Sequence, residues 1–158
     1  MKAFLILTML PMTLNAAQIT QEARVEIVKP ITLSSVQEMD FGELVMDGPY
    51  GSYILHPGGT TGQTGGVTQI GAAHEGIVDI SAHGDATIQI SVQDAGGSPE
   101  LELSNFGLSY NGSHSSSGLI TGASPAIHEP LKIGAKLSIR DPDAGVFYRN
   151  YTINVDFE

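Results

Sequence analysis

The chain has no cysteine and no tryptophan, and its seven Lys and Arg residues face 17 Asp and Glu residues. Without cysteine, no disulfide can hold the fold together and no lipid can be attached at an N-terminal Cys. The formal net charge of -10 argues against nucleic acid binding, which needs clustered basic residues, and against docking on anionic membranes. We therefore expect a fold that depends on its sheets and its apolar core alone.

The sequence also lacks a hydrophobic run long enough to span a membrane. The most apolar stretch, residues 3–14, is shorter than the ~20 residues that a membrane-spanning helix needs. It follows Lys2 and ends shortly before the small residues Ala16 and Ala17, which is the order of a secretory signal peptide. We predict a signal peptide over residues 1–16, with cleavage after Ala17 as the alternative. The protein is then exported through the periplasm to the cell surface, a fimbrium or the extracellular space, with no membrane insertion.

Helical periodicity is absent as well, because no window places apolar residues at helical spacing over three turns. Short alternating runs occur instead, separated by turns rich in Gly, Pro, Asn and Asp. The predicted strands cover residues 17–27, 31–33, 39–45, 52–56, 67–70, 77–82, 87–92, 101–105, 131–139 and 151–157. The predicted turns and loops cover residues 47–49, 58–66, 83–85, 94–99, 111–118 and 141–145, and the turn at 83–85 would make a hairpin of the strands beside it. This pattern predicts one all-β domain over residues 17–158, an antiparallel Ig-like or Greek-key β-sandwich, with a closed barrel as the second choice.

Two strands at the ends of the mature chain carry the cleanest alternation. Neighbouring side chains of a strand point to opposite faces, so each of these strands has one apolar and one polar face. The N-terminal one has Ile19, Ala23, Val25 and Ile27 on its apolar face, and the C-terminal one has Tyr151, Ile153, Val155 and Phe157. No Gly or Pro interrupts the C-terminal run, whereas Gln21 is a polar exception on the apolar side of the N-terminal run, which Pro30 interrupts. We therefore expect both strands to join a sheet.

Motifs for catalysis or cofactor binding do not stand out. The Gly-rich segment 58–66 lacks the Gly-Lys-Ser/Thr ending of a phosphate loop, and no Gly-x-Ser-x-Gly elbow occurs. The five histidines stand singly, without the spacing of a local metal site. The spacing of Asp141 and Asp143 resembles the first half of a calcium-binding loop, but a simple turn explains the same residues. We predict a protein that is not an enzyme and that needs no cofactor.

Several segments, taken in order, resemble a known family. They are Asp40-Phe41-Gly42, Gly65-Gly66-Val67 leading to residues 76–80, the turn at 83–87, residues 131–137, and the closing strand at 151–157. Together they resemble the bacterial exported family known as domain of unknown function 4402. The closing strand is also similar to that of chaperone–usher pilins, especially the archaic class, and of spore-coat-U-like proteins, although many such pilins carry a disulfide.

The similarity to pilins implies an incomplete sandwich with a missing strand. In those proteins a periplasmic chaperone first fills the gap, and at the usher the N-terminal extension of a neighbouring subunit replaces it. Residues 17–28 are then the candidate donor strand, and the C-terminal strand borders the gap. The leading hypothesis is a pilin-like subunit of a filament or fimbria, polymerising head to tail and supporting adhesion or biofilm formation. The alternative is a monomeric secreted adhesion or carbohydrate-binding module that contacts a host or matrix glycan through residues 58–66 and 111–118.

Overall fold

A computed structural model describes Glu22, Arg24, Val25 and residues 30–158. The predicted signal peptide, and Ile19, Ala23 and Ile27 of the predicted N-terminal strand, lie outside these described residues. Within the described residues, no helix has the length and apolarity needed to cross a membrane.

The described part of the chain is built from antiparallel strands and contains no helix. The strands are β1 (Thr32–Gln37), β2 (Leu44–Leu55), β3 (Thr61–Gln69), β4 (Gly76–Ser81), β5 (Ile88–Gly97), β6 (Leu101–Tyr110), β7 (Ser113–Ser115), β8 (Leu119–Ala123), β9 (Glu129–Arg140) and β10 (Arg149–Phe157). The larger sheet has the order β1-β4-β9-β2-β3, and β6 joins it at β9 and carries β7. The smaller sheet has the order β10-β5-β8. The all-β antiparallel sandwich predicted from the sequence is confirmed.

The larger sheet is centred on β9, the strand that the alternation at residues 131–139 predicts. One edge of β9 pairs with β6, and its other edge is shared by β4 along the first half and β2 along the second. Every second residue faces the core and is buried. These residues are Leu131, Ile133, Ala135, Leu137 and Ile139. Since each fully buried aliphatic side chain contributes about 1.5–3 kcal/mol relative to exposure, this one strand supplies a large share of the core.

The core lies between the two sheets. From the smaller sheet, β5 contributes Ile88 and Ile90, which are both 0% exposed. From the larger sheet, Ile80 is likewise 0% exposed. The core is therefore formed mainly by β4, β6 and β9 of the larger sheet and β5 of the smaller one.

The predicted hairpin between residues 77–82 and 87–92 is wrong. The first run is β4, which pairs with β1 and β9 in the larger sheet, while the second is β5, which pairs with β10 and β8 in the smaller one. The segment between them carries the chain from one sheet to the other, and the Ala82 N–H donates to the Ala126 carbonyl there. Both strands have an apolar face because they enclose the same core from opposite sides.

Several predicted loops and turns are strands in the structure. The Gly-rich segment 58–66 is a loop only up to Thr60, because residues from Thr61 onward pair with β2. β2 begins later than predicted, at Leu44, and continues through the predicted turn at 47–49 with an irregularity in register. β5 extends over the predicted turn at 94–99 as far as Gly97, and β7 lies inside the predicted loop 111–118. In each case a neighbouring strand supplies hydrogen-bond partners to a segment whose own sequence favours a turn.

Candidate functional site

The C-terminal strand β10 is the outermost strand of the smaller sheet. It pairs with β5 alone, and no strand among the described residues pairs with its other edge. Phe157 lies opposite Ile88, and Val155 lies opposite Ile90. The two isoleucines are fully buried, whereas both β10 residues remain partly exposed. The core-facing side of the sandwich is therefore incompletely covered at β10.

The facing edge of the larger sheet is uncovered in the same way. Leu33 of β1 lies opposite Ile80 and shares its core-facing side, yet Leu33 is 45% exposed and Ile80 is 0% exposed. Ser35 lies opposite Val78, which is buried, and is itself exposed. No close backbone contact joins β1 to β10 in the part of the chain that the structure describes. Residues 30–158 therefore leave the sandwich open along this side.

We call the gap between β1 and β10 the open groove. It contains a cavity of about 1460 Å³. Apolar side chains from both sheets and from the segments before β2 and before β10 line it. They are Met39, Phe41, Leu44, Met46, Val78, Leu101, Leu103, Leu137, Ile139, Val146, Phe147, Tyr151 and Ile153. Carboxylates stand at its rim on Glu38, Asp40, Glu43 and Asp143.

The opposite side of the sandwich is closed by the chain itself. Between β7 and β8 the chain passes from the larger sheet to the smaller one. On the way, Gly118 accepts a hydrogen bond from the Val92 N–H of β5 and donates one to the Phe106 carbonyl of β6, each 2.8 Å long. No segment of residues 30–158 closes the open groove in this way.

Ion pairs and hydrogen bonds at its two ends hold β10 to the smaller sheet. At the start of the strand, Arg149 Nε donates to Asp94 Oδ1 at 2.8 Å, and a second guanidinium nitrogen donates to Oδ2. This charge-assisted pairing lowers the pKa of Asp94 below its ordinary value. At the other end, Glu158 Oε2 accepts hydrogen bonds from Gly122 N at 2.8 Å and from Thr87 Oγ1 at 3.1 Å. β10 is thus fixed in place although no described strand pairs with its outer edge.

Tyr151, on the apolar face of β10, reaches across the groove to the larger sheet. Its ring lies 6.2 Å from that of Phe106, and a Cβ atom at Gly76 would come within 2.7 Å of its hydroxyl. Burial raises the pKa of Tyr151. Sequence reasoning found Tyr151 from its alternation but missed Gly76, since no spacing signal connects two residues so far apart in the chain.

The structure brings the four predicted residues of the C-terminal strand together on one face, and of the four predicted donor residues it describes only Val25. That side chain is 80% exposed, so it does not lie in the core. Asp141 and Asp143 lie in the exposed turn between β9 and β10. Nowhere in residues 30–158 do three or more His, Cys, Asp or Glu side chains gather as metal ligands would.

The fold defines a class: an antiparallel two-sheet sandwich whose C-terminal strand, within the described residues, pairs along one edge only. Residues 31–157 match the family model described as Domain of unknown function (DUF4402), and the chain belongs to that family, as its motifs predict. No curated protein and no solved structure matches the chain.

Proposed function

We propose that the protein is an exported structural subunit that polymerises head to tail into a surface filament, each copy donating a strand to the open groove of the next. The observation that carries the proposal is the edge of β10 that no described strand pairs with, beside an apolar face that the described residues leave partly exposed. An added strand would satisfy the free backbone groups of that edge and cover the apolar face in one step.

The occupant that the sequence supplies is residues 17–27 of a second copy. This segment precedes the described domain and places an apolar residue at nearly every second position. Its 11 residues reach about 36 Å when extended, which is enough to run the length of a nine-residue strand such as β10. Because donor and acceptor are different surfaces of one molecule, the contact is heterologous and continues into a filament.

The same geometry explains why partners would be needed during export. A subunit with an open groove exposes a strand edge that can pair with any other chain. A periplasmic chaperone that fills the groove, and an usher that exchanges it for the next subunit, would protect this edge until assembly. The filament would then serve adhesion or biofilm formation at the cell surface.

The test is to express the mature chain in the periplasm with and without residues 17–27, and to compare both by size-exclusion chromatography and negative-stain electron microscopy. We expect ladders or fibres from the mature chain and a folded monomer from the deletion. A synthetic peptide of residues 17–28 should raise the melting temperature of the deletion variant, and a scrambled peptide should not. Unchanged filaments after the deletion would refute strand donation, and a self-complete monomer from the mature chain would favour the secreted binding module instead.

A further inference from the structure

A second concave site lies away from the open groove, on the outer face of the larger sheet. It has a volume of about 400 Å³. Its lining comes from β2, β6, β9 and the connection between β7 and β8, and consists of Ile54, Leu55, His56, Asn105, Gly107, Ser116 and Lys136. We call this site the Asn105 cleft.

One wall of the Asn105 cleft is the turn after β2, which lies directly on the sheet. Gly107 and Gly134 are paired on neighbouring strands at this point. A Cβ atom at Gly107 would come within 2.8 Å of Pro57 Cδ, and one at Gly134 within 2.1 Å of the Leu55 carbonyl oxygen. The buried carboxylate of Glu75 accepts a hydrogen bond from Gly58 N–H and so fixes the turn. The wall is therefore built into the fold.

Asn105 stands opposite this wall in an unusual backbone conformation. Its φ is +48°, in the left-handed region that residues other than glycine rarely adopt. It belongs to a β-bulge, because the pairing of β6 with β9 shifts register between Ser104 and Gly107. Bulges redirect side chains and are common beside binding sites. Here the bulge presents the Asn105 amide at the cleft.

The polar side chains of the cleft have no partners within the described residues. Lys132, Arg140 and Arg149 each form an ion pair, but Lys136 forms neither an ion pair nor a side-chain hydrogen bond there. The other polar side chains of the cleft also form no hydrogen bond or ion pair with a described residue. They are His56, Asn105 and Ser116. An ammonium group and three groups that both donate and accept hydrogen bonds thus converge on one small space.

We propose that the Asn105 cleft binds a saccharide that carries a carboxylate. Lys136 would pair with the carboxylate, and the amide, imidazole and hydroxyl groups match sugar hydroxyls, which also donate and accept. Ile54 offers apolar surface to the non-polar face of a sugar ring. The volume falls within the range of about 300–1,000 Å³ typical of small-molecule sites. The cleft shares no lining residue with the open groove. Saccharide binding at the cleft can therefore be tested independently of strand donation.

The test uses ligand-observed NMR on the mature chain with two acidic probes, sialyllactose and trigalacturonic acid, and with lactose as the neutral control. We expect at least one acidic probe to bind and lactose not to bind. The acidic probe that binds shows whether the cleft takes a sialic acid or a uronic acid. Lys136→Gln should weaken binding about tenfold or more, as expected for a lost charge-assisted contact. Asn105→Gly should also weaken it while keeping the melting temperature, because glycine accepts the left-handed conformation without strain.

Arg140→Gln is the matched control, since it removes the same charge from the same face of the sheet outside the cleft. Binding by this variant should equal that of the wild type. The proposal is overturned if neither acidic probe binds, if Lys136→Gln binds as well as the wild type, or if Arg140→Gln loses as much affinity as Lys136→Gln.

Discussion

At the scale of single residues, the contact between Arg149 and Asp94 decides how firmly β10 is held. Both side chains are mostly buried, with 18% and 21% of their surfaces exposed. We predict that Arg149→Gln lowers the melting temperature, because the carboxylate of Asp94 loses its charged donors. Arg140→Gln removes a guanidinium from the more exposed pair with Glu102 and should change stability little.

The Arg149 variant should also change the dependence of stability on pH. The ordinary pKa of the Asp94 carboxyl is 3.8, and folding lowers it. The pairing with Arg149 therefore contributes fully to stability above pH ~3.8, and this contribution is lost as the pH falls through the lowered pKa. The difference in melting temperature between wild type and Arg149→Gln should therefore be largest near neutral pH and shrink below pH ~3.8. A difference that stays constant down to pH ~2 would show that the ionised pair is not its cause.

The face of a strand on which a side chain lies could be predicted from the sequence. The distant residue that this side chain contacts could not. Alternation alone placed Tyr151, Ile153, Val155 and Phe157 on one side of a strand. The partner of Arg149 lies 55 positions away along the chain, and Gly76, which makes room for Tyr151, is further still. Such pairs depend on which strands become neighbours, and local periodicity carries no information on that.

At the scale of elements, the single glycine of β9 shows how closely the chain is packed. Gly134 is buried in the centre of the larger sheet, with the Leu55 carbonyl above it. We predict that Gly134→Ala destabilises the fold by about 1–3 kcal/mol or more, because backbone atoms must move to admit the methyl group. Gly48→Ala is the control, as nothing lies within 4 Å of the added atom, and its effect should stay within ~0.5 kcal/mol. Urea unfolding measures both, and equal stability of the two variants would contradict the packing described at β9.

Strands with strong alternation were predictable, and polar strands were not. β5, β9 and β10 follow their periodicity closely. β3 begins with Thr, Gly and Gln and is a strand only because β2 offers it hydrogen bonds. The mistaken hairpin between β4 and β5 has a related cause, since alternation shows that a strand has a buried side but not which sheet it joins.

At the scale of the whole molecule, the absence of cysteine makes strand donation directly testable. A cysteine introduced at Val25 can form a disulfide only with a second introduced cysteine, and only where the Cα atoms approach within about 4.4–6.8 Å. We predict that Val25→Cys combined with Ile153→Cys or Val155→Cys gives, on oxidation, a covalent ladder of subunits in denaturing gels. The pairing of Val25→Cys with Leu119→Cys, at the other edge of the smaller sheet, should give none. A disulfide found only within monomers would mean that the N-terminal strand fills the groove of its own domain. If disulfides at position 153 or 155 form only between subunits, each domain is completed by a strand of its neighbour. The fold of each subunit is then complete only within the filament.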